Sequence, residues 1–128
     1  MQLNHLNLCV DDLTKARVFF QTCFDFQFLE QKGEAVAIMT DGHGFTLVLS
    51  NPRAFNKEMR PYPEDFHVGF LLETSDQVDQ AYHRLAAAEV HLAREPKKIR
   101  GSYGFYFTAL NDILFEVSCP LIGASDKS

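Results

Sequence analysis

Apolar and polar residues alternate with a period of two over residues 3–10. Leu6, Leu8 and Val10 share one face, and His5, Asn7 and Cys9 share the other. Successive side chains of a strand point to opposite faces, so this segment is expected to be a half-buried strand. Asp11 or Asp12 then offers a carboxylate for a helix N-cap. Leu13, Ala16, Phe20, Cys23 and Phe24 follow at spacings of three and four, the stripe of an amphipathic helix. Three short strands are expected next, over residues 26–31, 35–39 and 46–50. Lys32-Gly33 separates the first two and Asp41-Gly42-His43-Gly44 the last two; both segments carry turn chemistry.

Residues 51–65 hold Pro52, Pro61 and Pro63, show neither period, and read as a linker. The pattern then restarts. Residues 66–72 read as a strand, and Thr74-Ser75-Asp76-Gln77 fits a capping box. Val78, Ala81, Tyr82, Leu85 and Ala86 form a second helical stripe. Strands are expected over 90–93, 104–109 and 113–119, and the tail 120–128 is expected to fray. The halves repeat each other at a constant offset of 62 residues. His5 aligns with His67, Val10-Asp11 with Leu72-Glu73, and Ala16 and Phe20 with Val78 and Tyr82. A repeat in so short a chain means two supersecondary units, each β-α-β-β-β.

Composition narrows the function classes. The chain has 128 residues, 12 of them Phe, which implies a core or cleft lined with aromatic rings. Twelve basic against 17 acidic residues give a net charge of -5, with no concentrated basic run, which disfavours nucleic acid as a partner. No apolar run approaches the roughly 18 residues that span a bilayer, and a strand pattern at the start leaves no room for a signal peptide. Cys9, Cys23 and Cys119 are odd in number and show no CxxC spacing. Thiols in a reducing cytoplasm are therefore expected, not a disulfide framework or zinc knuckle.

The candidate chemistry lies on the strands. His5 and His67 open the two halves, and in the last strand Ile113, Phe115 and Val117 alternate with Leu114, Glu116 and Ser118, which sets the Glu116 carboxylate in an apolar strand. An ionised carboxylate buried among such residues needs a partner, and a divalent cation would be one. Two imidazoles and a carboxylate make a facial ligand set with positions open to water or substrate. The alternative is a metal-free binding fold in which the three hydrogen-bond to each other. His43, His83 and His91 read as turn, helix-surface and strand-end residues. Cys9 reads as a small hydrophobe near the His5 face, and Phe20 and Phe24 as core. Arg53, Lys57 and Arg60 read as solvated surface.

The order of these motifs resembles the vicinal oxygen chelate superfamily, which includes glyoxalases, extradiol dioxygenases, and fosfomycin- and bleomycin-resistance proteins. The matching segments are His5-Leu6-Asn7-Leu8 with Val10-Asp11-Asp12-Leu13, Phe66-His67-Val68-Gly69-Phe70, Phe105-Tyr106-Phe107 and Leu114-Phe115-Glu116-Val117. The resemblance implies an α+β fold, with two βαβββ modules curled into a mixed sheet, a half-barrel, around a cleft. It implies a single domain over residues 1–128: modules at about 1–50 and 66–119, linker 51–65, tail 120–128. It also implies a divalent ion (Fe, Mn, Ni or Zn) on His5, His67 and Glu116, a small organic substrate, and a homodimer. Arg100 and Tyr103, in the loop before the seventh strand, would lie at the cleft rim and touch an anionic substrate. Two departures stand out. The carboxylate that glyoxalase I places in the fourth strand is here Val48, which can neither bind metal nor move a proton. The usual Asp-Pro-x-Gly-Asn turn is here Ala109-Leu110-Asn111-Asp112-Ile113. The expectation is a metal-dependent lyase, dioxygenase or transferase with no identifiable base. Its rival is a metal-free binding protein of the bleomycin-resistance kind.

Overall fold

The structure, a computed structural model, describes residues 1–121. The expected fraying of the tail falls almost wholly outside them. The chain forms two compact units, Met1–Pro61 and the remainder from Tyr62. The first holds β1 (His5–Cys9), α1 (Leu13–Phe24), β2 (Gln27–Lys32), β3 (Val36–Thr40) and β4 (Thr46–Ser50). The second holds β5 (His67–Leu71), α2 (Ser75–Ala87), β6 (Lys97–Ile99), β7 (Ser102–Ala109) and β8 (Ile113–Pro120). Each unit is one mixed, open four-stranded sheet, ordered β1-β4-β3-β2 in the first and β5-β8-β7-β6 in the second. The fold is α+β, and the repeat read from the sequence is a repeat of topology.

One face of each sheet is covered by its helix. Leu8, Val10, Ala37, Met39, Leu47 and Leu49 are buried with Leu13, Ala16, Phe20 and Cys23 of α1. Phe105, Phe107, Ile113, Phe115, Val117 and Cys119 are buried with Val78 and Leu85 of α2. Phe107 and Phe115 stack at 5.3 Å between ring centres. The opposite face of each sheet carries the polar positions, and the candidate chemistry lies there.

Local signals set the helix ends. The Asp12 side chain, rather than that of Asp11, accepts the Lys15 N–H and caps α1. Thr74 and Gln77 close a reciprocal capping box on α2. Ala86 of the predicted stripe is exposed.

Three expectations need correction. Residues 90–93 form no strand. The Val90 N–H instead bonds the Leu85 carbonyl, and the Glu89 N–H bonds that of Ala86, with Glu89 left-handed at φ 63°. This is a Schellman closure of α2, and a donor used in a helix cap cannot join a sheet ladder. The sheet's edge is supplied later, by Lys97–Ile99. The linker is not wholly irregular, because Pro52–Phe55 forms a 3-10 turn capped by Asn51. Finally, β7 begins at Ser102, so Tyr103 is a strand residue and not a loop residue.

Tyr103 points to the helix side of its sheet and donates a 2.6 Å hydrogen bond to Asp79 of α2. That bond, then burial, pushes its phenol up from 10.0 to about 12. Folding thus favours the protonated phenol. Its contribution to stability is complete below the ordinary tyrosine range and is lost as pH climbs from about 10 toward 12. Of the four tyrosines, Tyr103 is expected to ionise near 12 in an ultraviolet pH titration. Tyr103→Phe is expected to remove that late component and to cost about 1 kcal/mol, because solvent screens a partly exposed pair.

Candidate metal centre

The polar face of the second sheet is organised by strand register. His67 pairs with Leu114, Gly69 with Glu116, and Leu71 with Ser118 across the parallel β5–β8 ladder. On the other side of β8, Tyr106 pairs with Glu116 and Gly104 with Ser118. His67, Glu116 and Tyr106 therefore leave the same face. Gly69 lies directly beside Glu116 and has no side chain, which leaves the carboxylate room to lean toward His67. The His67 Nε2 and a Glu116 carboxylate oxygen are 3.7 Å apart. The Glu116 side chain is 26% exposed and that of His67 46%. The expectation of a carboxylate buried among apolar neighbours is thus corrected: Glu116 stands on the open face, and burial alone does not force a counter-ion on it.

Hydrogen bonding makes a stronger case. The His67 Nδ1 lies 3.1 Å from the Asp65 carbonyl oxygen. A carbonyl can only accept, so in the neutral ring the proton is on Nδ1. The Nε2 lone pair then faces a carboxylate lone pair, and two acceptors cannot satisfy each other. A cation between them, or a proton on Nε2, resolves the conflict. A backbone carbonyl that orients an imidazole by its remote N–H is a recurrent feature of metal-binding histidines.

In the first unit, His5 is exposed and its Nδ1 bonds the Asn4 side-chain oxygen at 2.9 Å, which again leaves Nε2 available. His5 pairs with Thr46, Asn7 with Val48 and Cys9 with Ser50. Val48 thus occupies the register position in its sheet that Glu116 occupies in the other, and Ile38, paired with Val48, corresponds to Tyr106. The Ser50 hydroxyl donates to the Asn7 side-chain oxygen at 2.7 Å. Among the described residues, no group of three or more His, Cys, Asp or Glu side chains is gathered as an ion site.

A pocket of about 370 Å3 opens on the second sheet, beside Glu116 and Tyr106. Arg100 lines it; Tyr103, turned toward α2, does not. Sequence reasoning quoted Tyr106 in a motif but gave it no role. Burial, then the Glu116 charge and a hydrogen bond to it, push the Tyr106 phenol up, and Arg100 opposes them. The available signal was parity: Tyr106 alternates with the core residues Phe105 and Phe107.

Comparison with known proteins agrees with this architecture. A possible glyoxalase from Bacillus cereus is 36% identical, with a TM-score of 0.79 over 93% of this chain and 99% of that one. A lactoylglutathione lyase from Agrobacterium tumefaciens shares the fold at 19% identity, with a TM-score of 0.74 and 92% of each chain covered. The fosfomycin resistance protein FosX from Listeria monocytogenes, in a mutant form complexed with Mn(II) and 1S,2S-dihydroxypropylphosphonic acid, shares it at 23% identity. Its TM-score is 0.74, over 91% of this chain and 87% of that one. No curated protein matches the chain. The family profile spans residues 2–117, and the chain belongs to the Glyoxalase/Bleomycin resistance protein/Dioxygenase superfamily.

Proposed function

We propose that this protein is a metal-dependent enzyme acting on a small organic substrate, with His5, His67 and Glu116 as ligands of a divalent ion. The observation that carries the reading is the opposed pair of acceptors, His67 Nε2 and Glu116, with the imidazole proton committed to Asp65. Superfamily membership and the Mn(II) bound by FosX support it. An ion held by these three residues would supply Lewis acidity toward substrate oxygens. The chain's own residues do the rest. Asp65 fixes the ring of His67, and the Tyr106 hydroxyl donates to Glu116 and steadies that carboxylate on the open face of the sheet. Val48 supplies no carboxylate on the first sheet, so a proton-shuttling isomerisation of the glyoxalase I kind is disfavoured. Oxygenation or group addition fits better. A reducing cytoplasm suits three cysteines that form no disulfide.

Calorimetric titration of the chelator-treated protein with Mn(II), Fe(II), Ni(II) and Zn(II) tests the reading. One equivalent per chain is expected for at least one ion. Absence of binding by all four would instead favour the metal-free binding protein, with His67 and Glu116 a simple ion pair.

We also propose a homodimer. The edge strand β2 exposes nearly its whole length, including Phe28 and Leu29, and open edges invite pairing. Light scattering at micromolar concentration is expected to give twice the chain mass of 14.6 kDa. A monomer would refute it.

A further inference from the structure

The turn between β6 and β7 consists of Arg100 and Gly101, flanked by the pair Ile99 and Ser102. Left-handed backbone is needed at one of the two. Glycine takes it without steric conflict, whereas an L side chain does not. Yet Arg100 is left-handed, at φ 56°, and Gly101 is not. The local rule is thus inverted, and such inversions persist where a side chain is needed at one spot. The spot is the pocket. Arg100 lines it with Ser102, Ser118, Tyr106 and Glu116. No carboxylate lies within ion-pairing distance of the Arg100 guanidinium among the described residues. A chain of net charge -5 therefore brings a guanidinium and two hydroxyls into the lining of a pocket that also holds the Glu116 carboxylate.

We infer that this pocket takes an organic acid, whose anionic group is bound by Arg100 with Ser102 and Ser118, and whose other end faces Glu116 and His67. The inference builds on the metal reading for that second end only. An Arg–oxyanion contact is strong and directional, and its fork suits a carboxylate or a phosphonate. A pocket of about 370 Å3 is in the range that small organic ligands occupy.

The test compares succinate with its monomethyl ester, which matches it closely in shape but lacks one charge. Mn(II)-loaded wild type is expected to bind succinate at least about tenfold more tightly than the ester. Arg100→Gly is expected to abolish that preference. It should leave Mn(II) affinity unchanged and the fold at least as stable, because glycine suits the turn. A preference that survives in Arg100→Gly overturns the inference. If wild type binds no Mn(II), the metal reading fails by itself, and the anion end is read without metal. Methylphosphonate should then shift the amide resonances of Ser102 and Ser118 in wild type and not in Arg100→Gly. Equal shifts in both proteins, or none in wild type, overturn the inference.

Discussion

Glu116→Gln is expected to bind Mn(II) or Zn(II) at least about a hundredfold more weakly than wild type, and His67→Ala similarly. Glutamine keeps the size and one acceptor oxygen of Glu116 but loses its charge. A hard divalent ion is held mainly by that charge. His67→Ala removes the lone pair that faces it across 3.7 Å. His5→Ala is expected to fall with them, and His83→Ala, on the exposed side of α2, to match wild type. Competition against a chelator of known affinity reads all four. Wild-type affinity in Glu116→Gln would remove the carboxylate from the site.

Gly104→Ala is expected to destabilise the protein by about 3 kcal/mol and to lower its melting temperature by roughly 10 °C. Gly104 is buried in β7, against β8. A Cβ there would strike the Val117 carbonyl oxygen, and would lie 2.7 Å from the Ser118 Cβ and 2.8 Å from its Cα. These atoms belong to the neighbouring strand and cannot swing aside, so the two strands must part. Gly69→Ala, on the same face with open space around its Cβ, is the control. It is expected to change stability by less than about 1 kcal/mol. Thermal unfolding followed by circular dichroism compares them, and equal melting temperatures would contradict the close approach.

Sequence reasoning succeeded where a pattern reports directly on what a residue packs against. Thr46–Ser50 was legible to the residue because Leu47 and Leu49 are buried and their neighbours are not. The α2 start was legible because its cap is made by side chains. It failed where the backbone decided. Val90 and Leu92 alternate as a strand would, yet the Val90 N–H was already committed to the helix cap. Gly104 interrupts the pattern of β7, so the strand's first two residues, and with them the face of Tyr103, were misread. The left-handed turn at Arg100 left no mark in the sequence, since a glycine stood next to it. His67 and Glu116 were named from strand parity and resemblance. The tautomer that sets them in opposition needed the position of the Asp65 carbonyl.

The register match of Val48 with Glu116, and of Ile38 with Tyr106, gives the molecule its own blank. The two sheets share strand order and pairing but differ in whether that face bears a carboxylate and a phenol. A solute that merely wets strand faces should disturb the amides of β4 and β8 alike. One recognised through charge should disturb β8 and leave β4 silent. A single spectrum of a single sample therefore separates specific from incidental binding, with no second protein to prepare.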